Sequence, residues 1–297
     1  MTHSFVSVVI PVYNDGDRLQ KTLSALENQT YPDSQYETIV IDNGSTDNTA
    51  TIINEFSVRS SEITAIQSPY AARNRGIQMA NGDIIALLDA TCVPISSWIE
   101  SAINCMEENN ADLIAGDIQF ELGEDPSPAE LYDSIAHVQV ERNVRERGVA
   151  TTGNLIVRKD LFDEDHLGKF PVVRSSADVE WTGNATEAGY TLGYCPDAIS
   201  TYPPKDFPGL MRKAYRVGKG KPKAWARNGS HPLLAAASGV RSLPSKVFQT
   251  ITATNDDGHT NKNNQQSMPK IVFAVGILAF GVQLCGSTKA IIEYLVN

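Results

Sequence analysis

With 297 residues, 41% of them apolar and 20% charged, the chain can bury a large core without staples, as one domain or one domain plus an appendage. A formal net charge of −10 argues against nucleic acid as a general partner. The four cysteines (Cys92, Cys105, Cys195, Cys285) show neither zinc spacing nor a disulfide framework, and no basic-then-apolar leader opens the chain, so a reducing, cytoplasmic compartment is expected.

Phe5 to Ile10 is apolar and β-branched, ends at Pro11, and predicts a first strand. A turn through Asn14 and Gly16 leads to a helix over Arg18 to Gln29, where Leu19, Leu23 and Leu26 recur at helical spacing. Glu37 to Ile41 predicts a second strand, ending at Asp42. Asp42 to Thr49 is dense in turn formers and caps, and Ala50 to Phe56 continues as a helix. Ile63 to Ile66 predicts a short third strand, and Ala71 to Ala80 a helix closed by Asn81-Gly82. Ile84 to Leu88 is a continuous apolar run, the pattern of a strand buried on both faces. It stops at Asp89, and the carboxyl ends of such strands are where open α/β sheets bind ligands.

Strands alternating with helices predict an α/β fold, a mostly parallel sheet with helices on both faces. No GxGxxG follows the first strand and no GxxxxGK[ST] occurs anywhere, so the dinucleotide and P-loop readings lose support. The loop Asn14-Asp15-Gly16-Asp17 is acidic and would repel a triphosphate, which disfavours a nucleotidyltransferase.

Four segments in this order resemble family 2 glycosyltransferases of the GT-A fold. They are Val8 to Asn14, Val40 to Asp47, Ala72-Arg73-Asn74-Arg75-Gly76 and the strand ending at Asp89, and the likeness runs from about Ser4 to about Pro232. The resemblance implies a nucleotide pocket lined by Pro11, Tyr13 and Asn14, with Asp42 and the neighbouring Asn43 at the base edge. Ala72 and Arg73 would lie along the nucleotide. Asp89 would face ribose and a divalent cation, Mn or Mg, as the first carboxylate of a DxD-type motif. The chain departs from that motif: Asp89-Ala90-Thr91 carries a hydroxyl where a second carboxylate is usual, a weaker ligand for a hard cation. Either Asp89 holds the cation with other help, or the cation is held weakly, or activity is lost.

Asp112 to Gln119 predicts a strand and Ala129 to Arg147 a long polar helix. Gly153 and Asn154 resemble the family's turn that shapes the sugar and acceptor pocket, though a tight turn alone also accounts for Gly153. Ser176 to Trp181 resembles the family's Glu-Asp motif, which implies that Asp178 is the general base of an inverting transfer. As a bland alternative, Asp178 caps a helix. Ala177 stands where Glu is usual, Glu180 is a substitute carboxylate, and Trp181 follows. The processive QxxRW signature is absent, so one sugar per encounter is expected.

Lys205 to Arg227 carries eight basic residues against one acid, Asp206. Within it Arg212 to Gly220, including Arg216 and Lys219, resembles a basic segment of exopolysaccharide glycosyltransferases of the succinoglycan-assembling type. Its candidate partners are the leaving diphosphate, a lipid-linked pyrophosphate acceptor or anionic headgroups; a plain solvated basic helix also fits. His231 follows; the resemblance implies a late His that can ligate metal, and an ordinary loop His fits equally. Thr252 to Met268 is polar and predicts a flexible linker. Ile271 to Gly286 is an apolar stretch of about 16 residues, short of the roughly 20 a full span needs. Membrane-associated and capping helices both fit it, and the preceding basic segment favours the inner face of a membrane. The expected domains are 1–232 for the transferase, 233–268 for the connection and 269–297 for the apolar helix. The expected activity is transfer from a nucleotide-sugar donor, UDP-linked, to a saccharide or lipid-linked acceptor in cell-surface polysaccharide synthesis. Thr91 and Ala177, both replacing carboxylates, motivate the alternative of a weak or inactive nucleotide-sugar or glycan-binding protein.

Overall fold

The computed structural model describes residues 4–136, 139–173, 175–227 and 268–296. The chain divides into two compact units. The first holds Met1–Gln119 and Val140–Pro203, and the second holds Phe120–Gln139 and Pro204–Asn297. The boundary expected near 232 lies outside the described residues, as does His231 and, apart from Met268, the polar stretch expected as a linker.

The first unit is built on an eight-stranded sheet. Its centre is β1 (Val6–Val12), which pairs in parallel with β2 (Tyr36–Asp42) on one side and β4 (Ile84–Leu88) on the other; β3 (Arg59–Glu62) extends β2 in parallel. Beyond β4 the direction reverses. β7 (Asn154–Arg158) runs antiparallel to β4 and to β6 (Leu113–Phe120), and β8 (Leu192–Tyr202) carries the two-residue β5 (Val93–Pro94) antiparallel at the far edge. The expected α/β sheet is present, but only half of it is parallel.

Side-chain alternation along β1 feeds two layers. Val6, Val8, Ile10 and Val12 join a core with Leu19, Leu23 and Leu26 of α1 (Gly16–Leu26), Ile52 and Ile53 of α2 (Thr49–Glu55), and Trp98, Ile99 and Ile103 of α4 (Trp98–Glu108). Val9 points the other way, to α3 (Pro69–Met79). There a Cβ on Gly76 would collide with Val9 and crowd Ile41, so only glycine lets the helix sit this close. Ser68 caps α3, its hydroxyl accepting from the Ala71 N–H at 3.4 Å, and Pro69 occupies the first turn, where its missing N–H costs nothing.

Three expectations change. The third strand is the polar, exposed Arg59–Glu62 and not Ile63 to Ile66; as an edge strand it needs no apolar run, and Ile66 is 52% exposed. The long helix over Ala129 to Arg147 is two helices, α5 (Pro128–Ala136) and α6 (Val140–Arg147), in different units, with no Pro or Gly between them to mark the break. Cys105 of α4 and Cys195 of β8 form a disulfide across 90 residues of sequence. Their meeting is a product of the topology, and the scatter of cysteines therefore carries no argument for a reducing compartment. Cys92 and Cys285 are free thiols.

In the second unit α5, α8 (Phe207–Arg227) and α9 (Met268–Val296) share a small core of Ala129, Leu210, Ala214, Val275 and Ala279. A Cβ on Gly218 would strike the Gln283 backbone, so α8 and α9 are in near-backbone contact, and the Ser287 hydroxyl donates to the Gly218 carbonyl at 2.9 Å. Asp133 is fully buried and accepts from the Lys213 ammonium at 2.8 Å and the Lys205 N–H at 3.0 Å. Arg212 and Arg216 are exposed one turn apart on α8. α9 is apolar outside as well as inside: Val275 and Ala279 are buried, Ile277 and Leu278 exposed. Among the described residues, no helix is long and apolar enough to cross a membrane.

Candidate active site

Asp42 ends β2 and Asp89 directly follows β4, with the end of β1 between them. Neighbouring strands lie about 4.8 Å apart, so the ends of β2 and β4 stand roughly 10 Å apart across β1. Between them runs the chain leaving β1. Pro11 is half-buried opposite Ile41, Tyr13 is 49% exposed, and Asn14 adopts a left-handed φ of 50°. Asn tolerates that conformation because its short side chain bonds locally. Here the Asn14 N–H donates to the Ser45 hydroxyl at 2.8 Å and its Oδ1 accepts from the Thr46 N–H at 2.7 Å. Ser45 in turn donates its N–H to Asp42 Oδ1 at 2.9 Å, tying the first two loops together. Asn43 is buried, and its Oδ1 has no hydrogen-bond partner among the described residues.

α3 supplies the next layer. Ala72 is fully buried, and Asn74 clamps the Phe170 backbone, donating to its carbonyl at 2.9 Å and accepting its N–H at 3.1 Å. Arg73, with a side chain 5% exposed, donates from Nη2 to Asp89 Oδ1; the Asp89 side chain is 40% exposed. The guanidinium carbon lies 5.4 Å from the centre of the Tyr70 ring, a cation–π contact, and its Nε is buried without a partner among the described residues. Buried unmet groups such as Asn43 Oδ1 and Arg73 Nε are costly unless a ligand completes them.

Asp178 lies in the first turn of α7 (Ala177–Glu187), entered through Ser176 at a left-handed φ of 71°. Its Oδ1 accepts from the Tyr70 hydroxyl at 2.8 Å and the Val179 N–H at 3.0 Å. Its Oδ2 accepts from the Thr152 N–H at 3.2 Å and hydroxyl at 3.4 Å. Burial, and then the Asp178 charge, push the Tyr70 phenol well up, so it remains an O–H donor.

Two segments therefore bond to both Asp89 and Asp178. On α3, Arg73 holds Asp89 and Tyr70 holds Asp178. In the loop before β7, Thr152 grips Asp178, and the Gly153 carbonyl accepts the Asp89 N–H at 3.3 Å. A Cβ on Gly153 would reach van der Waals contact with Asp89 Oδ2, at 3.6 Å, so the glycine lies directly against that carboxylate. Its backbone is not left-handed, so the turn alone does not require it.

The other expected residues divide. Asn154 is buried and committed to packing: its Oδ1 accepts from the Trp98 indole at 2.8 Å, and its Nδ2 donates to the Asp117 and Ala198 carbonyls, each at 2.9 Å, and to the Ser200 hydroxyl at 3.2 Å. Trp181 is likewise buried, donating to the Gly168 carbonyl at 2.8 Å and stacking on Phe162 with centroids 4.7 Å apart. Both side chains are engaged within the protein rather than turned towards an acceptor. Glu180 is half-buried and leaves α7 about 200° round from Asp178. Arg216 and Lys219 lie on α8, in the second unit. Sequence reasoning missed Tyr70 and Thr152. For Tyr70 a signal exists, since it stands three residues before Arg73 and so on the same helical face. Thr152 carries no signal beyond its place beside Gly153.

Among the described residues no group of three or more His, Cys, Asp or Glu side chains could hold a metal ion. Asp89 is the one carboxylate available at the DxD position, and one oxygen of it is paired with Arg73. That set still fits a hard cation of the kind that takes one or two carboxylates and draws its other ligands from substrate phosphates and water.

An eight-stranded sheet, parallel in one half and antiparallel in the other with helices around it, is the architecture of the GT-A glycosyltransferases. The chain belongs to glycosyl transferase family 2, which residues 7–163 match. It is 40% identical over 230 residues to glycosyltransferase AglE of Haloferax volcanii, covering 75% of each chain. It is 32% identical over 125 residues to the UDP-Glc:alpha-D-GlcNAc-diphosphoundecaprenol beta-1,3-glucosyltransferase WfgD of Escherichia coli, covering 40% of this chain and 48% of that one. The mannosyltransferase PcManGT from Pyrobaculum calidifontis, solved in complex with GDP-Man and Mn2+, has the same fold. Its TM-score is 0.70 at 16% identity, over 99% of this chain and 88% of that one.

Proposed function

We propose that this glycosyltransferase moves a sugar from a UDP-linked donor to a saccharide or lipid-linked acceptor, with inversion at the anomeric carbon, in cell-surface polysaccharide synthesis. The observation that carries it is the pairing of Asp89 and Asp178 through the same two segments, α3 and Thr152–Gly153. Asp178 takes the proton of the acceptor hydroxyl as that oxygen attacks the anomeric carbon. The bond from that carbon to the diphosphate oxygen breaks, and its electron pair leaves with the diphosphate. Arg73, buried and permanently charged, faces the negative charge that develops there. Asp42, Asn43, Pro11, Tyr13 and Asn14 hold the nucleoside, and Gly153 leaves room for the sugar. A divalent cation held by Asp89 would supply further charge neutralisation at the diphosphate.

The Escherichia coli relative pairs a UDP-Glc donor with a diphosphoundecaprenol-linked acceptor, which supports the UDP donor and the lipid-linked acceptor here. The exposed Arg212 and Arg216, together with the exposed Ile277 and Leu278, support association with the inner face of a membrane. The basic segment also supports kinship with the succinoglycan-assembling enzymes.

The test is UDP release with a panel of UDP-sugars and lipid-linked acceptors. Asp178→Asn is expected to lose about 10²- to 10⁴-fold in turnover while binding UDP as the parent does. Unchanged turnover would remove Asp178 from the mechanism.

A further inference from the structure

Tyr70 is 5% exposed, and no step of the transfer described above uses it. A buried tyrosine needs a partner for its hydroxyl, and a backbone carbonyl would serve. This one reaches a side-chain carboxylate 108 residues away in sequence, Asp178 Oδ1 at 2.8 Å. The ring has little freedom. Phe170 packs against it with centroids 5.9 Å apart, Phe170 in turn lies against Phe162 and Trp181, and the Asn74 clamp fixes the Phe170 backbone. The Arg73 guanidinium sits over the same ring.

The two oxygens of Asp178 are held unequally. Oδ1 takes the shorter bonds, at 2.8 and 3.0 Å, one of them from its own helix. Oδ2 takes the longer ones, at 3.2 and 3.4 Å, both from Thr152, whose hydroxyl can rotate away.

We propose that Tyr70 is a positioning residue for Asp178, anchoring Oδ1 so that Oδ2 is the oxygen that receives the acceptor proton. The side chain does not touch substrate; it limits the rotation of the carboxylate that does. This rests on Asp178 being the base. Proton transfer depends on alignment of the accepting oxygen, whereas donor binding does not, so the effect belongs in turnover and not in affinity.

The experiment compares Tyr70→Phe, Asp178→Asn and the double variant, in the full chain, by steady-state UDP release and by calorimetry with UDP. Phenylalanine removes one hydroxyl and keeps the ring, and Asp178 retains its bonds to Val179 and Thr152, so the fold should survive. UDP affinity within about twofold of the parent checks this. Tyr70→Phe is expected to lower kcat about 10- to 100-fold, the loss of one hydrogen bond to a charged group, with the donor KM within about twofold. In the Asp178→Asn background the same change is expected to have no further effect, because a residue acting through Asp178 has nothing left to position. Parental kcat in Tyr70→Phe, or the same fold-loss in both backgrounds, would overturn the proposal. Full turnover in Asp178→Asn is a different failure, that of the base assignment.

Discussion

The two halves of the sheet do different kinds of work. In the parallel half, β3-β2-β1-β4, the loops after β1 and β4 keep side chains accessible, with Tyr13 49% exposed and the Asp89 side chain 40%, although Asp42 and Asn43 at the end of β2 are buried. In the antiparallel half, β7-β6-β8-β5, Gln119 and Asp197 are exposed, but the polar side chains of Asn154 and Ser200 go inward. Asn154 is the clearest case, an amide at the start of β7 bonded to Trp98, Asp117, Ala198 and Ser200. The loops of the parallel half thus leave Tyr13 and Asp89 accessible, while Asn154 is spent on holding the geometry of the antiparallel half. Asp178 is the exception that joins them, a carboxylate from the second half gripped by Tyr70 from the first.

That contrast breaks most sharply at Asn154. Asn154→Ala would strand the Trp98 indole and the backbone carbonyls it serves, and is expected to lower stability by roughly 2–4 kcal/mol, read by denaturant unfolding. A variant with parental stability but impaired acceptor use would return Asn154 to the pocket. Next in size is Gly76→Ala, in the parallel half. The added methyl has no room against Val9, and the helix must move or strain, at about 1–3 kcal/mol. A thermal melt checks the loss, and UDP affinity should fall with it, since Arg73 rides on the same helix.

The smallest expected effect is at Glu37, which accepts from Arg59 at 2.6 Å, from the Asn81 N–H at 2.7 Å and from Ser7 at 2.7 Å. Burial pushes its carboxyl up, but the Arg59, Asn81 and Ser7 hydrogen bonds win and hold it below the usual range. A carboxyl depressed in the folded state contributes stability above its unfolded pKa, and that stability is lost as pH falls through the folded value. Glu37→Gln is therefore expected to cost under about 1 kcal/mol near neutrality, since the Arg59 side chain is 44% exposed. The gap in melting temperature between parent and variant should close as pH is taken from about 6 to about 3. A gap that stays constant would show that the charge contributes nothing.

Much of the parallel half is readable in one dimension. Ile84 to Leu88 announces a doubly buried strand, and the observed β4 has those bounds. The segment Ala72 to Gly76 is readable as a unit, though its members do separate jobs: Ala72 fills, Arg73 pairs with Asp89, Asn74 clamps Phe170 and Gly76 permits close packing. The polar strand β3 is not readable, because an edge strand is defined by its neighbour's hydrogen bonds and not by its own apolarity. The inward turn of Asn154 and Trp181 is hidden from the sequence for a related reason: a motif says where the chain is and not which way a side chain points.

Periodicity and turn chemistry by themselves determined that strands and helices alternate, that Asp42 ends one strand and that Asp89 follows another, because these depend on contacts within about a dozen residues. The tertiary structure alone decided that Cys105 meets Cys195, that the sheet reverses after β4, and that Tyr70 reaches Asp178. Those pairings close loops of many tens of residues, and no local pattern specifies which distant partner a side chain will find.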